Sequence, residues 1–406
     1  MKTIVNPMHS NIMTRCSLAI ITLLLVSCHA AEKRSIGESV DTLPEIFSEK
    51  VDIRFAKNFK VKYIGNFKLV ELSYATEERN LAISQKLLLV PRGTPPTDIP
   101  GDLKDAWVIE VPVRTVAAND DGEVTRLTTL GLVENLVAMG GGAIYDTSMR
   151  KRWEDSKLVS IGYSISHAPA PEVMLNLAPE LALLYTFDNN RLSSIQKQRK
   201  LGVNAIPTFA WAENTYLGKA EWIKFTALFF NKEPDANSFF DEIERRCNTV
   251  LSRVDSTTTR PKAFWVYFPS EESDWTAHRN DFFASYIEGA GGVNVLKDDG
   301  PTHPVGISNE HLLREAKEAD FWIVNDTSDI SWPPARYLQL FKAYRNGNVY
   351  HYHKRTRYEH DAYDWYETAE VRPDLVLDDL SHIFYPDNQR PHEFFFFKKV
   401  TLTKSK

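Results

Sequence analysis

Residues 231–254 read Asn-Lys-Glu-Pro-Asp-Ala-Asn-Ser-Phe-Phe-Asp-Glu-Ile-Glu-Arg-Arg-Cys-Asn-Thr-Val-Leu-Ser-Arg-Val. Apolar residues recur in this segment at steps of three and four, and charged residues fill the positions between them, which is the pattern of an amphipathic helix. Pro234 suits the first turn of a helix, where its missing N–H is not needed. A helix of about twenty residues is about 30 Å long, roughly the width of a small domain. The segment therefore predicts a rigid helix that joins two lobes, and its periodicity alone also fits an ordinary surface helix.

The composition is that of a globular chain with room for two domains. The chain has 406 residues, of which 43% are hydrophobic and 25% are charged, as in ordinary soluble proteins. Its net charge is −6, and its longest basic run is Arg150-Lys151-Arg152. A nucleic acid is therefore not expected as a partner.

The N-terminus predicts export and a lipid anchor. Residues 17–26 form an apolar run after Arg15; the run is too short for a membrane-spanning helix of about 20 residues and typical of a signal-peptide core. It ends in Leu25-Val26-Ser27-Cys28, which resembles the bacterial lipobox. We therefore expect a periplasmic protein that is lipid-anchored to the bacterial membrane; a plain secretory signal is the alternative. The predicted segments are a signal peptide over residues 1–27, a lipidated Cys28 and a tether over residues 28–50.

The cysteines agree with this interpretation. The chain has three of them; Cys16 would leave with the signal peptide and Cys28 would carry the lipid. Only Cys247 would remain, so the mature chain could form no intramolecular disulfide. Cys247 falls on the apolar positions of residues 231–254 and is most simply a small core residue.

The order of predicted elements indicates an α/β fold. Short strands separated by turn residues predict an antiparallel β extension over residues 51–106. From residue 107 onward strands alternate with helices, which predicts parallel sheets covered by helices on both faces. The expected units are lobe 1 over residues 107–231, a connecting helix over residues 232–256, lobe 2 over residues 257–390 and a C-terminal tail over residues 391–406.

Catalytic and metal-binding motifs do not stand out. The chain has no G-x-S-x-G elbow, P-loop or H-E-x-x-H sequence, and no carboxylate pair suggests acid–base chemistry. His351, His353 and His360 are more typical of strand-end histidines than of metal ligands. We therefore expect no metal site, no cofactor and no enzymatic activity. An exported metal-dependent α/β enzyme that uses these histidines is the alternative from another functional class.

Eight segments, taken in order, carry a resemblance to one family: residues 130–137, 171–181, 201–207, 217–224, 289–294, 307–313, 319–324 and 371–380. They resemble the iron-siderophore and vitamin B12 class of bacterial ABC-transporter substrate-binding proteins, most closely its iron-complex lipoproteins, over about residues 110–386. The resemblance implies two Rossmann-like lobes with parallel sheets joined by a single long helix, which is the class III binding-protein fold.

The resemblance also implies a ligand site between the carboxyl ends of the strands of the two lobes. The ligand would be a ferric siderophore, with cobalamin or haem as alternatives. Aromatic walls suit a flat macrocycle or a catecholate, and an arginine would meet an anionic ferric chelate. Where relatives tend to have a Ser/Thr-Thr-His string, this chain has residues 117–122, Ala-Ala-Asn-Asp-Asp-Gly, which leaves the ligand open. The predicted ligand-binding residues are Asn119, Tyr145, Tyr185, Trp211, Trp275, Arg279, Trp332, Arg357, Tyr358 and Trp365, with Asp120, His167 and Asn214 as neighbours.

Docking on a membrane permease is a further implication of the resemblance. Family members dock through one glutamate on each lobe, which pairs with arginines of the permease dimer. By motif position these glutamates are Glu172 and Glu310. The binding protein itself is expected to be a monomer. Both lie in predicted first turns of helices, where a carboxylate is also favourable for the helix itself. A scaffold or sensor that keeps the fold without transport is the remaining alternative.

Overall fold

The computed structural model describes residues 47, 49–95, 99–163, 169–254, 259–268, 274–325, 335–386 and 391–400. The predicted signal peptide, Cys28, His167 and Trp332 lie outside these residues. Within them, no helix combines the length and the apolarity that a membrane span requires.

The N-terminal extension is a four-stranded sheet in the order β1-β2-β3-β4. Its strands are β1 Phe59–Ile64, β2 Phe67–Thr76, β3 Leu81–Pro91 and β4 Trp107–Val111. The first three strands are antiparallel, as predicted. β4, which the sequence assigns to lobe 1, pairs in parallel with β3 instead. Its inward residues Ile109 and Val111 share a buried core with Leu87 and Leu89, and this packing decides its sheet.

Lobe 1 is built on a five-stranded parallel sheet. Its strands are β5 Val116–Ala118, β6 Leu136–Met139, β7 Val159–Ser160, β8 Leu181–Tyr185 and β9 Ala205–Thr208. They lie in the order β7-β6-β5-β8-β9. The direction of winding changes between β5 and β8, so the carboxyl ends of these strands form a switch point, where α/β sheets bind ligands.

The helices of lobe 1 begin at side-chain caps. Asp120, Asp146, Asp188 and Thr215 each accept a hydrogen bond from a backbone N–H in the first turn that follows. Such caps stabilise a helix start by about 1 kcal/mol each. The helices are α1 Asp121–Thr129, α2 Thr147–Glu154, α3 Pro171–Leu177, α4 Asn189–Lys200, α5 Tyr216–Ala220 and α6 Trp222–Leu228.

The predicted connecting helix is α7, Glu233–Val254. It packs against α6 of lobe 1 and against α12 of lobe 2, Pro373–Phe384. Its buried residues follow the apolar positions of the sequence, and Cys247 is among them. The two-lobed α/β fold with one long connecting helix is therefore confirmed.

Lobe 2 has a mixed sheet. Three strands from successive βα units, β10, β14 and β15, are parallel neighbours. The strands are β10 Lys262–Tyr267, β11 Trp275–Ala277, β12 Val293–Asn294, β13 Val305–Ile307, β14 Phe321–Val324, β15 Val349–His351 and β18 Lys398–Lys399, with a hairpin of β16 Thr356–Arg357 and β17 Ala362–Tyr363. The remaining helices are α8 Phe282–Gly289, α9 Asn309–Ala316, α10 Ala335–Leu338 and α11 Lys342–Arg345.

The segment predicted as a C-terminal tail contributes to lobe 2. β18 pairs antiparallel with β15, and Phe396 and Phe397 are almost fully buried. The carboxylate of Asp379 in α12, itself fully buried, accepts hydrogen bonds from the backbone N–H groups of Phe395, Phe396 and Phe397. This long-range contact leaves no local pattern in the sequence.

Two buried glutamates attach the N-terminal extension to lobe 1. Glu221 accepts hydrogen bonds from the backbone N–H groups of residues 54–56, and Glu213 accepts those of residues 57 and 58. Glu221 also pairs with Lys224 at 2.8 Å, and both side chains are at most 2% exposed. The string of residues 217–224, prominent in the family resemblance, thus has a structural role.

Replacing Glu221 by alanine is expected to lower the free energy of unfolding by about 3–5 kcal/mol, because it leaves a buried lysine and several N–H groups without partners. Urea unfolding of the full chain measures this loss. The matched control is Asp235→Ala, which removes the exposed pair with Lys232 and should cost less than about 1 kcal/mol. Equal effects of the two substitutions would contradict the assignment.

Candidate functional site

A cavity of about 410 Å³ lies between the two lobes, within the size range of small-ligand sites. Lobe 1 contributes the residues that follow β5, the end of β8 and the segment after β9. Lobe 2 contributes the end of β10, the start of α8 and residues 365–370. This main cavity therefore lies at the switch point of the lobe 1 sheet, where the topology predicts a ligand.

Carboxylates dominate the charge of the main cavity. Its lining includes the carboxylates of Asp120, Asp121, Glu123, Asp281 and Glu370 against the cations of Arg79, Arg126 and Lys219. With His278 neutral, five carboxylates and three cations give a formal charge of −2.

A buried ion network uses up two of these cations. Arg126 lies 2.8 Å from Glu123, with both side chains 1% exposed, and 3.1 Å from Glu370 of lobe 2. Lys219 lies 2.5 Å from the other oxygen of Glu370 and 4.1 Å from the centroid of the Phe282 ring. Glu370 thus links α1 and α5 of lobe 1 to lobe 2 through charged hydrogen bonds.

Asp120 and Asp121 are left without a cationic partner among the described residues. The Asp120 carboxylate accepts a hydrogen bond from the Gly122 N–H at 3.1 Å. Burial, and then the charge of Glu370, raise the pKa of Asp120 to about 7. Burial, and then the charge of Asp120, raise the pKa of Asp121 well above its usual range. Both groups hold protons readily unless a positive charge enters the cavity.

The walls of the main cavity are aromatic. Trp211 donates a hydrogen bond from Nε1 to the Thr186 carbonyl at 2.9 Å, which fixes its indole, and the Arg79 guanidinium lies 4.8 Å from its ring. Trp365 stacks on Phe283 with centroids 6.0 Å apart. The other aromatic residues of the lining are Tyr163, Tyr185, Tyr267, Phe282 and Tyr366.

His278 is the residue of the lining best suited to meet a metal. Its Nδ1 lies 2.6 Å from the Asp281 carboxylate, and its Nε2 is buried without a hydrogen-bond partner. The carboxylate assigns the ring proton to Nδ1 and leaves the lone pair on Nε2, which is the arrangement of metal-ligating histidines. His278 is also only 1% exposed, so the uncompensated nitrogen is costly without a ligand.

A second cavity of about 430 Å³ lies between α1 and α2 of lobe 1 and residues 355–372 of lobe 2. Glu367 borders it and accepts hydrogen bonds from the Tyr145 and Asp146 N–H groups of lobe 1. Burial raises the pKa of Glu367 to about 7. The Arg357 guanidinium lies 4.8 Å from the Tyr145 ring.

The structure divides the predicted ligand residues among several places. Tyr185, Trp211 and Trp365 line the main cavity. Tyr145 and Arg357 line the second cavity. Asn119 is buried beneath the main cavity, where its side-chain oxygen accepts the Tyr185 N–H at 2.9 Å.

Three other predicted residues lie away from both cavities. Trp275 is 1% exposed in the lobe 2 core because its inward strand position packs it against Phe268 and Trp322. Arg279 is held by the Leu296 carbonyl and by Asp298, and Tyr358 is 57% exposed. Trp332 is outside the described residues, and Asn214 lines neither cavity.

The sequence analysis named Asp120 but missed the other charged residues of the site. Asp121 lies in the departing string of residues 117–122 and Glu123 follows it, and this string after β5 was the available signal. The His278-x-x-Asp281 spacing before a helix was a second signal. Lys219 and Glu370 had none, because they meet across the lobes over 151 residues of chain.

The predicted docking residues are both exposed. Glu172 lies in the first turn of α3, and Glu310 in the first turn of α9. α3 follows β7, and α9 follows β13. Because β13 is antiparallel to β11 and β11 is antiparallel to β10, β13 has the same direction as β10. Both helices therefore start at carboxyl edges of their sheets. Hydrogen bonds from its own backbone N–H and from Ser308 lower the pKa of Glu310.

The comparison with known families defines the class of protein. A family model described as periplasmic binding protein matches residues 116–356, more than half of the chain, and the chain belongs to that family. Its members bind solutes and are not enzymes, so the sequence-based expectation of a binding protein is confirmed.

The chain is similar over its length to an uncharacterised lipoprotein of Methanocaldococcus jannaschii, with 24% identity over 94% of each chain. A second uncharacterised lipoprotein of that organism is 25% identical over 70% of this chain and 73% of its own. The family and these relatives indicate an extracytoplasmic protein.

Solved structures show the same fold at low identity. A periplasmic haem-binding protein from Roseiflexus sp. RS-1 is 20% identical with a TM-score of 0.53, over 68% of this chain and all of its own. Helicobacter pylori CeuE with bound Ni(II) is 14% identical with a TM-score of 0.54, over 69% and 86%. The vitamin B12-binding protein BtuF of Vibrio cholerae is 14% identical with a TM-score of 0.50, over 69% and 99%.

Proposed function

We propose that this chain is the substrate-binding lipoprotein of an ABC importer, and that it captures an iron complex in the main cavity and delivers it to a membrane permease. The observation that carries the proposal is the cavity itself, enclosed by both lobes at the switch point and lined by aromatic residues, carboxylates and His278. The named relatives that bind haem, nickel or vitamin B12 support a metal complex as the ligand class.

The charge of the cavity favours a complex that is neutral or positive. Arg126 and Lys219 are engaged by Glu123 and Glu370, and the predicted arginines Arg279 and Arg357 do not line the main cavity. The third cation of the lining is Arg79, whose guanidinium lies against the Trp211 ring. An anionic ferric catecholate next to Asp120 and Asp121 would keep both carboxyls protonated, whereas a cationic complex would be attracted by their charged form. The arginine that an anionic chelate would meet in this cavity is Arg79, not the predicted Arg279 or Arg357. A ferric hydroxamate, haem or cobalamin fits the charges better.

His278 favours a metal centre with an exchangeable coordination position. Its Nε2 lone pair, oriented by Asp281, can ligate such a metal, whereas a siderophore that fills all six positions leaves nothing for it to bind. Haem and cobalamin therefore remain candidate ligands of this site beside a ferric siderophore whose six coordination positions are filled.

Quenching of tryptophan fluorescence tests the proposal. The full chain is titrated with a cationic ferric trihydroxamate, a ferric tricatecholate, haem and cobalamin. At least one of the trihydroxamate, haem and cobalamin is expected to bind. Quenching should be reduced in Trp211→Phe and unchanged in Trp107→Phe, because Trp107 lines neither cavity. For haem or cobalamin, His278→Ala should also change the metal absorption spectrum. Binding of none of the four complexes would overturn the ligand class, and preference for the tricatecholate would overturn the charge argument.

We further propose that Glu172 and Glu310 dock the two lobes on the permease. Reversing both charges, with Glu172→Arg and Glu310→Arg, should lower uptake about tenfold or more while the affinity for the ligand stays the same, because the helix starts are exposed and the cavity is untouched. Uptake of the labelled complex into cells that carry the permease measures the effect. Glu315→Arg, in the last turn of α9, is the matched control. Normal uptake by the double variant would favour the scaffold alternative.

We also propose that Cys28 carries a lipid that holds the chain at the membrane as a monomer. In cell fractionation, Cys28→Ser should move the protein from the membrane fraction to the soluble fraction. An unchanged distribution would favour the alternative of a plain secretory signal without a lipid.

A further inference from the structure

A cluster of metal-binding groups lies outside both cavities. Asp378 and His382 are one helical turn apart on α12, and His392 comes from the C-terminal segment that packs on this helix. One possible ligand atom from each residue lies within 4.8 Å of those of the other two. The sequence analysis expected no metal site and did not consider these residues. His392 is ten residues from His382 and reaches it only through the fold.

The hydrogen bonds leave both imidazoles with a free lone pair. His382 donates from Nδ1 to the Asp378 carbonyl at 2.7 Å, so its Nε2 carries the lone pair. His392 donates from Nε2 to the buried Asp379 carboxylate at 2.6 Å, so its Nδ1 carries the lone pair. These protons are assigned from the partners of each ring. A histidine held by a carboxylate or a carbonyl through one nitrogen is the usual second shell of a metal site.

The Nδ1 atom of His392 faces an oxygen of Asp378 at 3.6 Å. Because both atoms are acceptors, a proton or a cation between them would stabilise this arrangement. Asp378 already has one positive neighbour, Arg253 of α7, at 3.1 Å from its other oxygen. The side chains are 34% exposed for Asp378, 9% for His382 and 17% for His392, so a metal ion can reach them from solvent.

We propose that Asp378, His382 and His392 bind a divalent ion of the zinc type, independently of the ligand in the main cavity. Two imidazoles and one carboxylate are ligands that zinc, cobalt and nickel accept. The imidazole rings now stack in parallel at 3.9 Å, and one ring must turn so that both lone pairs converge. Ligand atoms around a tetrahedral zinc lie about 3.3 Å apart, so the cluster must also contract. The ion would join α12 to the C-terminal segment that carries β18.

Titration of the full chain with Co²⁺ after treatment with a chelator tests the site, because the visible absorption of Co²⁺ reports its ligands. One ion per chain is expected, with affinity lowered at least tenfold in His382→Ala and in His392→Gln. His360→Ala, an exposed histidine outside the cluster, should bind as the parent does. Zn²⁺ should displace Co²⁺ and raise the melting temperature of the parent chain and of His360→Ala, but not that of the two cluster variants.

Retained binding in both histidine variants, or no binding, would overturn the proposal. Loss of binding in Asp120→Asn with retention in the histidine variants would assign the ion to the main cavity. Should the variants fail to fold, protection of His382 and His392 by Zn²⁺ against diethylpyrocarbonate in the unmodified chain decides the question. Equal modification with and without Zn²⁺ would overturn the proposal. A proton on His392, held between Asp378 and Asp379, would then take the place of the metal ion.

Discussion

The free energy of unfolding of the ligand-free chain should fall as the pH rises from about 4 to 7, and Asp120→Asn should remove much of this fall. Asp120 ionises near pH 3.9 in an unfolded chain, whereas its pKa in the fold is raised to about 7. The folded chain therefore binds more protons than the unfolded chain across this window, and stability is lost as these protons leave. The difference between parent and variant is expected to be on the order of a few kcal/mol at pH 7.

Urea unfolding at a series of pH values measures the effect. The control is Asp155→Asn. A hydrogen bond from Lys151 lowers the pKa of this exposed carboxyl, so its ionisation makes the folded chain more stable as the pH rises. Asp155→Asn should therefore leave the fall in stability between pH 4 and 7 in place. The opposite result would be parallel pH profiles of the unfolding free energy in the parent and in Asp120→Asn. It would show that the pKa of Asp120 is not raised in the fold, and the charge argument for the ligand would lose its basis.

The same ionisation should couple to binding. A cationic ferric trihydroxamate should bind more tightly as the pH rises towards 7, by up to about tenfold per pH unit for one linked proton. An anionic complex should show the reverse trend. The pH profile of affinity therefore separates the two ligand charges even before the natural ligand is identified.

Replacing Arg126 by methionine should cost about 3–5 kcal/mol of unfolding free energy at neutral pH, because the almost fully buried carboxylate of Glu123 loses its cation. Burial raises the pKa of Glu123 even though Arg126 acts in the opposite direction. Without Arg126 that pKa rises further, so the deficit of the variant should grow as the pH rises from about 4. The substitution also breaks one of the contacts between the lobes, to Glu370.

The matched control is Arg152→Met. Arg152 pairs with Glu134, which is 86% exposed, and its loss should cost less than about 1 kcal/mol with little dependence on pH. Unfolding curves of the two variants at pH 4.5 and pH 7 make the comparison. A deficit of Arg126→Met that is equal at both pH values would mean that Glu123 is stabilised by other groups, with Thr226 as the nearest at 3.2 Å.

Local periodicity explains which parts of the fold were predictable. The apolar positions of Glu233–Val254 repeat with the helical period, so both the helix and its buried face follow from neighbours three and four residues apart. The buried runs of β8 and β10 alternate with helices, and this order already implies parallel sheets. Tyr185 and Trp211 were expected at the cleft because they end or follow strands of such a sheet, and both line the main cavity.

Only the tertiary structure decided which sheet received β4, that the C-terminal segment completes lobe 2, and that Lys219 and Arg126 meet Glu370 between the lobes. Each of these outcomes depends on residues far apart in the chain, whose pairing is selected by the burial of shared apolar surface and by the need of buried charges for partners. The sequence by itself determined the α/β class and the helix of residues 233–254, because these arise from patterns within about twenty residues. That this helix joins two lobes was implied by the family resemblance, since its periodicity also fits a surface helix. The chemistry of the cavity arose from contacts that no local pattern contains.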